Sequence, residues 1–308
     1  MGKVYNPKLQ DVPAAFDSIT RQGKLRTLHG VLPGDDNDVV DLIGTHVQGI
    51  AHTQDDIFLS YNRVPTAPTG LLAVVSKKTG WVVHWIYTPQ ESAGYQHPGG
   101  MQIIGDYLMV PIENWQHNQS YIHFYDLSSM TDKVPPQPLA YSLRRHNGSG
   151  AAGITNYTSG GTEYYLMVAY DNGKLYFYRS NGLTLADEAF ALSLLFTTEV
   201  SQGGYSSLCL VTDKNNGVYM IGFWTEAADS APVDYMDLYS VDIGNQRVSD
   251  VLKSRHMITQ YGDIVGPAGV HFRFGAGLRI LSDTALKAYA TQRNFVSGAL
   301  ASNGFAPK

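Results

Sequence analysis

The sequence predicts an all-β protein made of five copies of one strand unit. Two observations carry this prediction, the composition and an internal repeat. Only 16% of the 308 residues are charged, and the chain contains 20 Tyr, 11 Phe and 31 Gly, which suits many short strands joined by tight turns. A short segment rich in small residues also recurs at intervals of roughly 50 to 60 residues, a spacing typical of repeat architectures.

The five copies of this segment share positions rather than identities. The fourth residue is glycine in four copies and Ser207 in the other, and the fifth residue is always apolar. The copies are HVQGIA at 46–51, HPGGMQ at 97–102, GAAGIT at 150–155, GYSSLC at 204–209 and GPAGVH at 266–271. These small residues predict the innermost strand of each unit, since strands that crowd around one axis leave little room for side chains.

Each copy is followed by further strand patterns. A second pattern occupies residues 55–62, 106–113, 164–171, 217–224 and 276–283. A third begins at residues 71, 121, 174, 236 and 286, and a fourth is present in WVVHWIYT, PLAYSLRR, ALSLLFTT and DVLKSRHM. Four strands in about fifty residues is the period of a propeller blade.

This pattern resembles the five-bladed β-propeller class over nearly the whole chain. The resemblance implies a single domain, residues 1–308, of four-stranded antiparallel blades around a central channel. The predicted blades are residues 46–96, 97–149, 150–203, 204–265 and 266–308 together with 24–32.

The two ends of the chain predict how the ring closes. The last unit has no fourth strand pattern, since only SGALASNGFAPK remains, whereas a spare strand, KLRTLHGVL, lies at 24–32. We predict that this amino-terminal strand completes the last blade beside residues 286–293, which removes a bare sheet edge. Residues 11–21 predict a short helix with Asp11 as its N-cap.

The candidate site lies at one mouth of the channel, formed by the loops before the innermost strands and the loops after the second strands. These loops differ between units whereas the strand pattern repeats, which suits a site carried on a scaffold. The predicted ligand-binding residues combine aromatic rings with polar groups, as small-molecule pockets do. They are Tyr61, Arg63, Trp115, His146, Tyr170, Tyr205, Trp224 and His271.

His46 and His97 are predicted catalytic residues because they hold the same position in neighbouring units. Two converging imidazoles suit general acid and base chemistry. The alternative is that each ring caps a loop by hydrogen bonding to the backbone. No cofactor is predicted. A divalent metal between the two rings is the less favoured alternative, because a metal needs a third ligand and His271 lies deeper in its strand.

Glu113 and Asp171 complete the predicted catalytic set. They share a position at the ends of second strands with Asp283, and one such carboxyl group held protonated would act as an acid. The alternative is that these carboxylates are solvated and cap turns.

Charge and hydropathy limit the partners of the chain. The net charge of −5 disfavours nucleic acid, which binds to basic surfaces. The sequence has no apolar run long enough to span a membrane. Residues 1–10 contain no apolar signal core, so we expect a soluble monomer that is either cytoplasmic or secreted with its leader removed.

Two classes of function follow from these observations. The first is a protein with one site for a small organic molecule or sugar, in which the histidines perform non-redox acid/base catalysis as in a lyase, isomerase, cyclase or hydrolase. The alternative is a non-catalytic propeller that binds carbohydrate or another protein. A multivalent lectin would repeat its ligand residues in every unit, whereas this chain repeats its scaffold and varies its loops, which disfavours five equivalent sites.

Overall fold

The computed structural model describes residues 6–30, 46–63, 69–89, 94–114, 116–200, 202–226, 232–260, 269–296 and 298–308. Trp115 and residues 31–32 of the predicted closing strand lie outside the described residues. So does the start of the last repeated segment, residues 266–268.

One short helix precedes the strands, α1 (Val12–Ser18). The first strands are β1 (Lys24–His29), β2 (His46–His52), β3 (Asp56–Asn62), β4 (Leu71–Ser76), β5 (Val82–Tyr87), β6 (His97–Pro98), β7 (Gln102–Ile104), β8 (Tyr107–Asn114), β9 (Gln119–Asp126) and β10 (Gln137–Arg145). They are followed by β11 (Ala151–Ser159), β12 (Thr162–Asp171), β13 (Lys174–Ser180), β14 (Leu192–Glu199), β15 (Ser207–Thr212), β16 (Val218–Glu226), β17 (Val233–Asp242), β18 (Arg247–Val248), β19 (Lys253–Met257), β20 (His271–Ser282), β21 (Ala285–Thr291) and β22 (Ala299–Phe305).

The described strands form four sheets in which most strands lie beside their neighbours in sequence. The sheet orders are β1-β22-β21-β20-β2-β3-β4-β5, then β10-β9-β8-β6 with β7 also on β8, then β11-β12-β13-β14, and finally β15-β16-β17-β18 with β19 also on β17. Paired strands are antiparallel except β2 and β20, whose single parallel pair joins Gly49 to Ala276. The predicted all-β class is therefore confirmed, and the fold is propeller-like.

The amino-terminal strand does join the sheet that contains the end of the chain, but beside a different strand from the predicted one. β1 pairs antiparallel with β22, from Lys24 opposite Gly304 to His29 opposite Ala299. β22 lies between β1 and β21, so the predicted pairing with residues 286–293 is wrong. The final segment, in which no strand was predicted, thus forms β22 and buries Leu300 and Phe305 completely.

The last unit is also displaced by one strand relative to its predicted pattern. Residues 276–283 were expected in a second strand, but they belong mostly to β20, which begins at His271. Ala276 is the residue that meets Gly49 of β2. The small residues that meet β2 are therefore those of the run Gly275–Gly277, whereas His271 lies at the beginning of the same strand. Two neighbouring runs of small residues made the sequence ambiguous at this point.

Glycines allow the innermost strands to approach one another closely. A Cβ added at Gly277 would overlap the carbonyl oxygen of Ile50, and one at Gly99 would overlap the carbonyl oxygen of Gly150. At Gly100 it would lie 2.6 Å from the carbonyl oxygen of Ser206. Backbone atoms of different strands therefore occupy the space that any larger side chain would need.

A buried glutamine links three of these strands. The side-chain amide of Gln102 donates to the carbonyl of Leu210 at 2.8 Å, and its oxygen accepts from the backbone N–H groups of Ile154 and Leu210 at 2.8 and 3.0 Å. Every polar atom of this buried side chain is thus satisfied, as burial requires. Gln102 therefore joins β7 to β11 and β15.

The segment before β1 packs against the sheets. The Asp11 side chain accepts from the N–H of Ala14 at 2.8 Å, so Asp11 is the N-cap of α1 as predicted. Phe16 of this helix is completely buried. Cys209 is buried too, and burial raises the pKa of its thiol to about 12. Within the described ranges, no helix is both long enough and apolar enough to cross a membrane.

Candidate active site

Strand pairing brings the two predicted catalytic histidines to the same end of neighbouring sheets. His46 begins β2 and lies opposite Asn62, the last residue of β3. His97 begins β6 and lies opposite Glu113 near the end of β8. The two imidazole centroids are 5.9 Å apart.

His97 and Glu113 are in close polar contact. His97 Nδ1 lies 2.9 Å from Glu113 Oε1, and both side chains retain about a sixth of their exposure, 17% and 16%. The other carboxylate oxygen of Glu113 accepts from the backbone N–H of Ser149 at 3.0 Å. Glu113 is therefore held on both sides, and it orients the His97 ring.

Gln48 connects the two histidines. Its amide nitrogen lies 2.8 Å from Nε2 of His97 and also contacts Nε2 of His46. An amide nitrogen can only donate, so with the Gln48 amide in this orientation both Nε2 atoms are its acceptors. His97 Nδ1 lies beside Glu113 Oε1. The arrangement therefore directs two imidazole lone pairs at one point, now held by the Gln48 amide.

His46 is held in its neutral form. Burial lowers its pKa to about 3, and the neighbouring charges of His97, Arg293 and Arg273 act in the same direction. Its Nδ1 is buried and has no hydrogen-bond partner among the described residues. At neutral pH this ring therefore takes part only as an uncharged donor or acceptor.

A buried arginine supports the loop that contacts Glu113. Arg145 donates from Nε to the hydroxyl of Tyr178 at 2.9 Å and from Nη1 to the carbonyl of Gly148 at 2.5 Å. Its guanidinium also lies 4.8 Å from the centre of the Tyr176 ring, a cation–π distance. These contacts fix the turn from which Ser149 donates to Glu113.

Asp171 lies on the other side of this loop. A Cβ added at Gly148 would lie 3.1 Å from Glu113 Oε2 and 3.2 Å from Asp171 Oδ1, so Gly148 separates the two predicted carboxylates. Asp171 also accepts from the side chain of Asn172 at 3.0 Å. Asp283, which was expected to share their position, instead pairs with Lys214 at 2.7 Å.

Four predicted ligand-binding residues are tied to other protein groups. Tyr61 donates to Asn294 Oδ1 at 3.2 Å. Arg63 lies over the Tyr87 ring at 5.0 Å. The Tyr170 hydroxyl accepts from Gly204 N–H at 2.6 Å, and His271, which is completely buried, contacts Asp234 Oδ2 at 3.0 Å. Each side chain therefore stabilises its surroundings in the unliganded chain.

Tyr205 and Trp224 converge on a buried carboxylate. The Tyr205 hydroxyl and the Trp224 indole N–H both donate to Asp237 Oδ2, at 3.0 and 2.8 Å. Burial and the Tyr239 hydrogen bond raise the pKa of Tyr205. His271, Tyr205 and Trp224 thus contact buried carboxylates, and their role in ligand binding stays a prediction. His146 is exposed on its loop.

Sequence reasoning missed the residues that organise the pair. Gln48 is the extra residue at a register shift of β2 between Val47 and Gly49, so strand alternation does not predict that its side chain meets His46. Ser149 acts through its backbone N–H, which carries no sequence signal. In the described part of the chain, no group of three His, Cys, Asp or Glu side chains is placed to hold a metal.

Three buried histidines make the folded state sensitive to mild acid. Burial lowers the pKa of His46 to about 3, that of His123 to about 4 and that of His52 well below 6.5. The unfolded chain binds these protons below pH 6.5 and the folded chain does not, so stability is complete above pH 6.5 and falls as the pH decreases.

We expect the free energy of unfolding to fall between pH 6.5 and 5 by up to about 1.4 kcal/mol per pH unit for each histidine. Urea denaturation at several pH values measures this slope. His123→Gln should reduce the slope, whereas the same change at exposed His256 should leave it unaltered. Equal slopes in the wild type and His123→Gln would show that His123 takes up its proton while folded.

Comparison with known proteins finds only distant structural likenesses among those described below. No protein-family model and no curated protein matches it. The glutaminyl cyclase of Myxococcus xanthus is 14% identical, with 94% of this chain and 99% of that chain covered and a TM-score of 0.48. A bifunctional GH43-CE protein of Bacteroides eggerthii is 11% identical, with 92% and 34% covered and a TM-score of 0.45. At such identities and TM-scores, neither likeness bears on the activity of this chain.

Proposed function

We propose that this chain is a five-bladed propeller with one catalytic site at a mouth of its channel. The eight-stranded sheet would then comprise two blades, β2–β5 and β20–β22 with β1, which touch through the single pair of Gly49 and Ala276. The other three sheets supply one blade each. On this proposal β1 closes the ring as the outermost strand of the last blade.

The proposed reaction is non-redox acid/base catalysis on a small organic molecule, as in a lyase, isomerase, cyclase or hydrolase. The observation that carries it is the contact of His97 Nδ1 with Glu113 Oε1 at 2.9 Å. A carboxylate at Nδ1 holds the imidazole in one tautomer and stabilises the positive charge when Nε2 takes a proton, as in hydrolase triads. His97 is therefore the proposed general base, with Glu113 positioning it.

Substrate would enter by displacing the Gln48 amide from the two Nε2 atoms. A proton of the substrate then passes to His97 Nε2, and the resulting imidazolium faces the Glu113 carboxylate. The same proton returns from His97 to the product, so the protein ends the cycle unchanged. Neutral His46 contacts the same point and would orient the substrate by one hydrogen bond. Asp171 is the proposed second carboxylate at this mouth.

The alternative, a carbohydrate-binding or protein-interaction propeller, receives less support. Stacking on sugars needs aromatic faces that are open to solvent. Tyr61 and Tyr205 are 2% and 3% exposed, and Trp224 stacks on Tyr235 with a centroid separation of 4.6 Å. These rings are already covered by protein.

The test compares His97→Gln and Glu113→Gln with the wild type on a panel of chromogenic esters, lactones and glycosides. We expect His97→Gln to lower kcat by about 100-fold or more, and Glu113→Gln to lower kcat with a changed pH profile and a smaller effect on KM. His256→Gln, which replaces an exposed histidine, is the matched control and should retain full turnover.

Retained turnover in folded His97→Gln would refute the proposed base. Calorimetric titration with the panel separates the two classes of function in a further way. About one ligand per chain supports the single site, whereas about five ligands without turnover supports a repeated binding module.

A further inference from the structure

A second cavity lies at the opposite end of the strands from the proposed active site. His52 ends the strand that His46 begins, and a strand rises about 3.3 Å per residue, so the two ends lie about 20 Å apart. The cavity has a volume of about 450 Å³. We call it the basic cavity after its polar lining, which includes Lys24, Arg26, His52, Lys77, Arg279 and Lys287.

The positive charges of the basic cavity are held in place by uncharged oxygens. Lys77 Nζ donates to the carbonyl of Thr53 at 2.5 Å, and Arg26 donates to the carbonyl of Lys77 at 2.5 Å. Arg279 donates to the side-chain oxygen of Gln54 at 2.9 Å. Across the described ranges of the chain, none of the five cations forms an ion pair with a carboxylate.

The electrostatic potential in the cavity is therefore strongly positive. Burial, together with the charges of Arg279, Lys287 and Arg26, lowers the pKa of Lys77 to about 8. Asp56 acts in the opposite direction and is the weakest of these influences. Clustered cations without counter-charges repel one another, so a bound anion would stabilise the folded chain.

His52 contributes a buried polar group without a hydrogen-bond partner in the part of the chain that the structure describes. Its ring stacks on Tyr289 with a centroid separation of 3.4 Å, and it is only 7% exposed. Neither ring nitrogen has a hydrogen-bond partner among the described residues. A buried donor without an acceptor costs about 1–3 kcal/mol, so a ligand atom that accepts from this ring would stabilise the folded chain.

We propose that the basic cavity binds a compact phosphate-bearing anion. The two guanidinium groups match the paired oxygens of a phosphate, and the three ammonium groups add point charges around it. The neutral His52 ring supplies one N–H. The concave shape and a volume of small-molecule size favour a compact ligand, and the net charge of −5 opposes the approach of a long polyanion.

The test is calorimetric titration of the full chain with inorganic pyrophosphate at constant ionic strength. We expect binding by the wild type and at least tenfold weaker binding by Arg279→Gln and by Lys287→Met. Lys174→Gln is the matched control, because Lys174 is an exposed cation paired with Glu199 outside the cavity, and its affinity should stay within about twofold of the wild type.

Thermal melting gives a second readout that does not depend on heats of binding. Pyrophosphate should raise the Tm of the wild type and of Lys174→Gln, but not that of the two cavity variants. Without ligand those variants should melt no lower than the wild type, because each substitution relieves repulsion. The proposal is overturned by absence of binding to the wild type, by equal weakening in Lys174→Gln, or by equally tight binding of citrate or polyglutamate.

Discussion

The Gly277→Ala substitution should lower the free energy of unfolding by about 3 kcal/mol or more. The added methyl group would overlap the carbonyl oxygen of Ile50 and lie 3.0 Å from its carbonyl carbon. Neither the backbone at Gly277 nor that at Ile50 can shift away, because Gly277 is paired with Tyr289 and Ile50 with Leu59 in their sheets. Guanidinium denaturation measures the change.

A matched substitution separates this clash from the general effect of removing a glycine. Gly244 lies in a turn, and its nearest neighbour to an added Cβ is Asp242 Oδ1 at 3.6 Å. Gly244→Ala should therefore change the stability by no more than about 0.5 kcal/mol. A loss below 1 kcal/mol in Gly277→Ala would mean that β2 and β20 do not approach as closely as described.

The axial glycines show how far a repeat pattern can be interpreted. The repeat pattern predicted close backbone approaches at Gly49 and Gly100, because each of these units places a small residue at the same position of its repeated segment. It failed in the last unit, where Gly269 and Gly277 both lie in runs of small residues. Local sequence does not say which run meets the axis, since that depends on the pairing of Ala276 with Gly49.

The equal positions of residues in neighbouring repeat units predicted one part of the candidate site, the closeness of two histidines. Equal positions in neighbouring units predicted that His46 and His97 would lie close together, and their rings are 5.9 Å apart. The same reasoning did not predict that Glu113 would contact His97. That contact follows from the antiparallel pairing of β6 with β8, which places the two residues opposite each other.

The contacts of the aromatic residues could not be predicted from the sequence for a different reason. Tyr205 lies over Gly222, where an added Cβ would contact its ring, and the missing side chain gives the ring a path to Asp237, which is opposite Gly222 on β17. A loop position suggested a ligand contact, but the buried carboxylate needed hydrogen-bond donors. Sequence alone did not reveal that Asp237 is buried.

Asp234 is the second residue whose replacement should have a large effect. It is 2% exposed, and its carboxylate accepts from Thr225 Oγ1 at 2.6 Å and from the N–H of Phe272 at 2.9 Å. It also contacts His271 Nδ1 at 3.0 Å and accepts from Thr259 Oγ1 at 3.1 Å. These bonds join β17 to β20, and thus one sheet to the next.

Asp234→Ala should destabilise the chain by about 3 to 5 kcal/mol, because four donors would lose their acceptor in a buried place. Asp234→Asn keeps one acceptor oxygen and should cost less. Glu188→Ala, which removes an exposed carboxylate, should stay within about 0.5 kcal/mol of the wild type. The prediction is contradicted if denaturation shows Asp234→Ala to be as stable as that control. The four donors would then be hydrogen-bonded to water, and the contact of His271 with Asp234 would not be needed to join the two sheets.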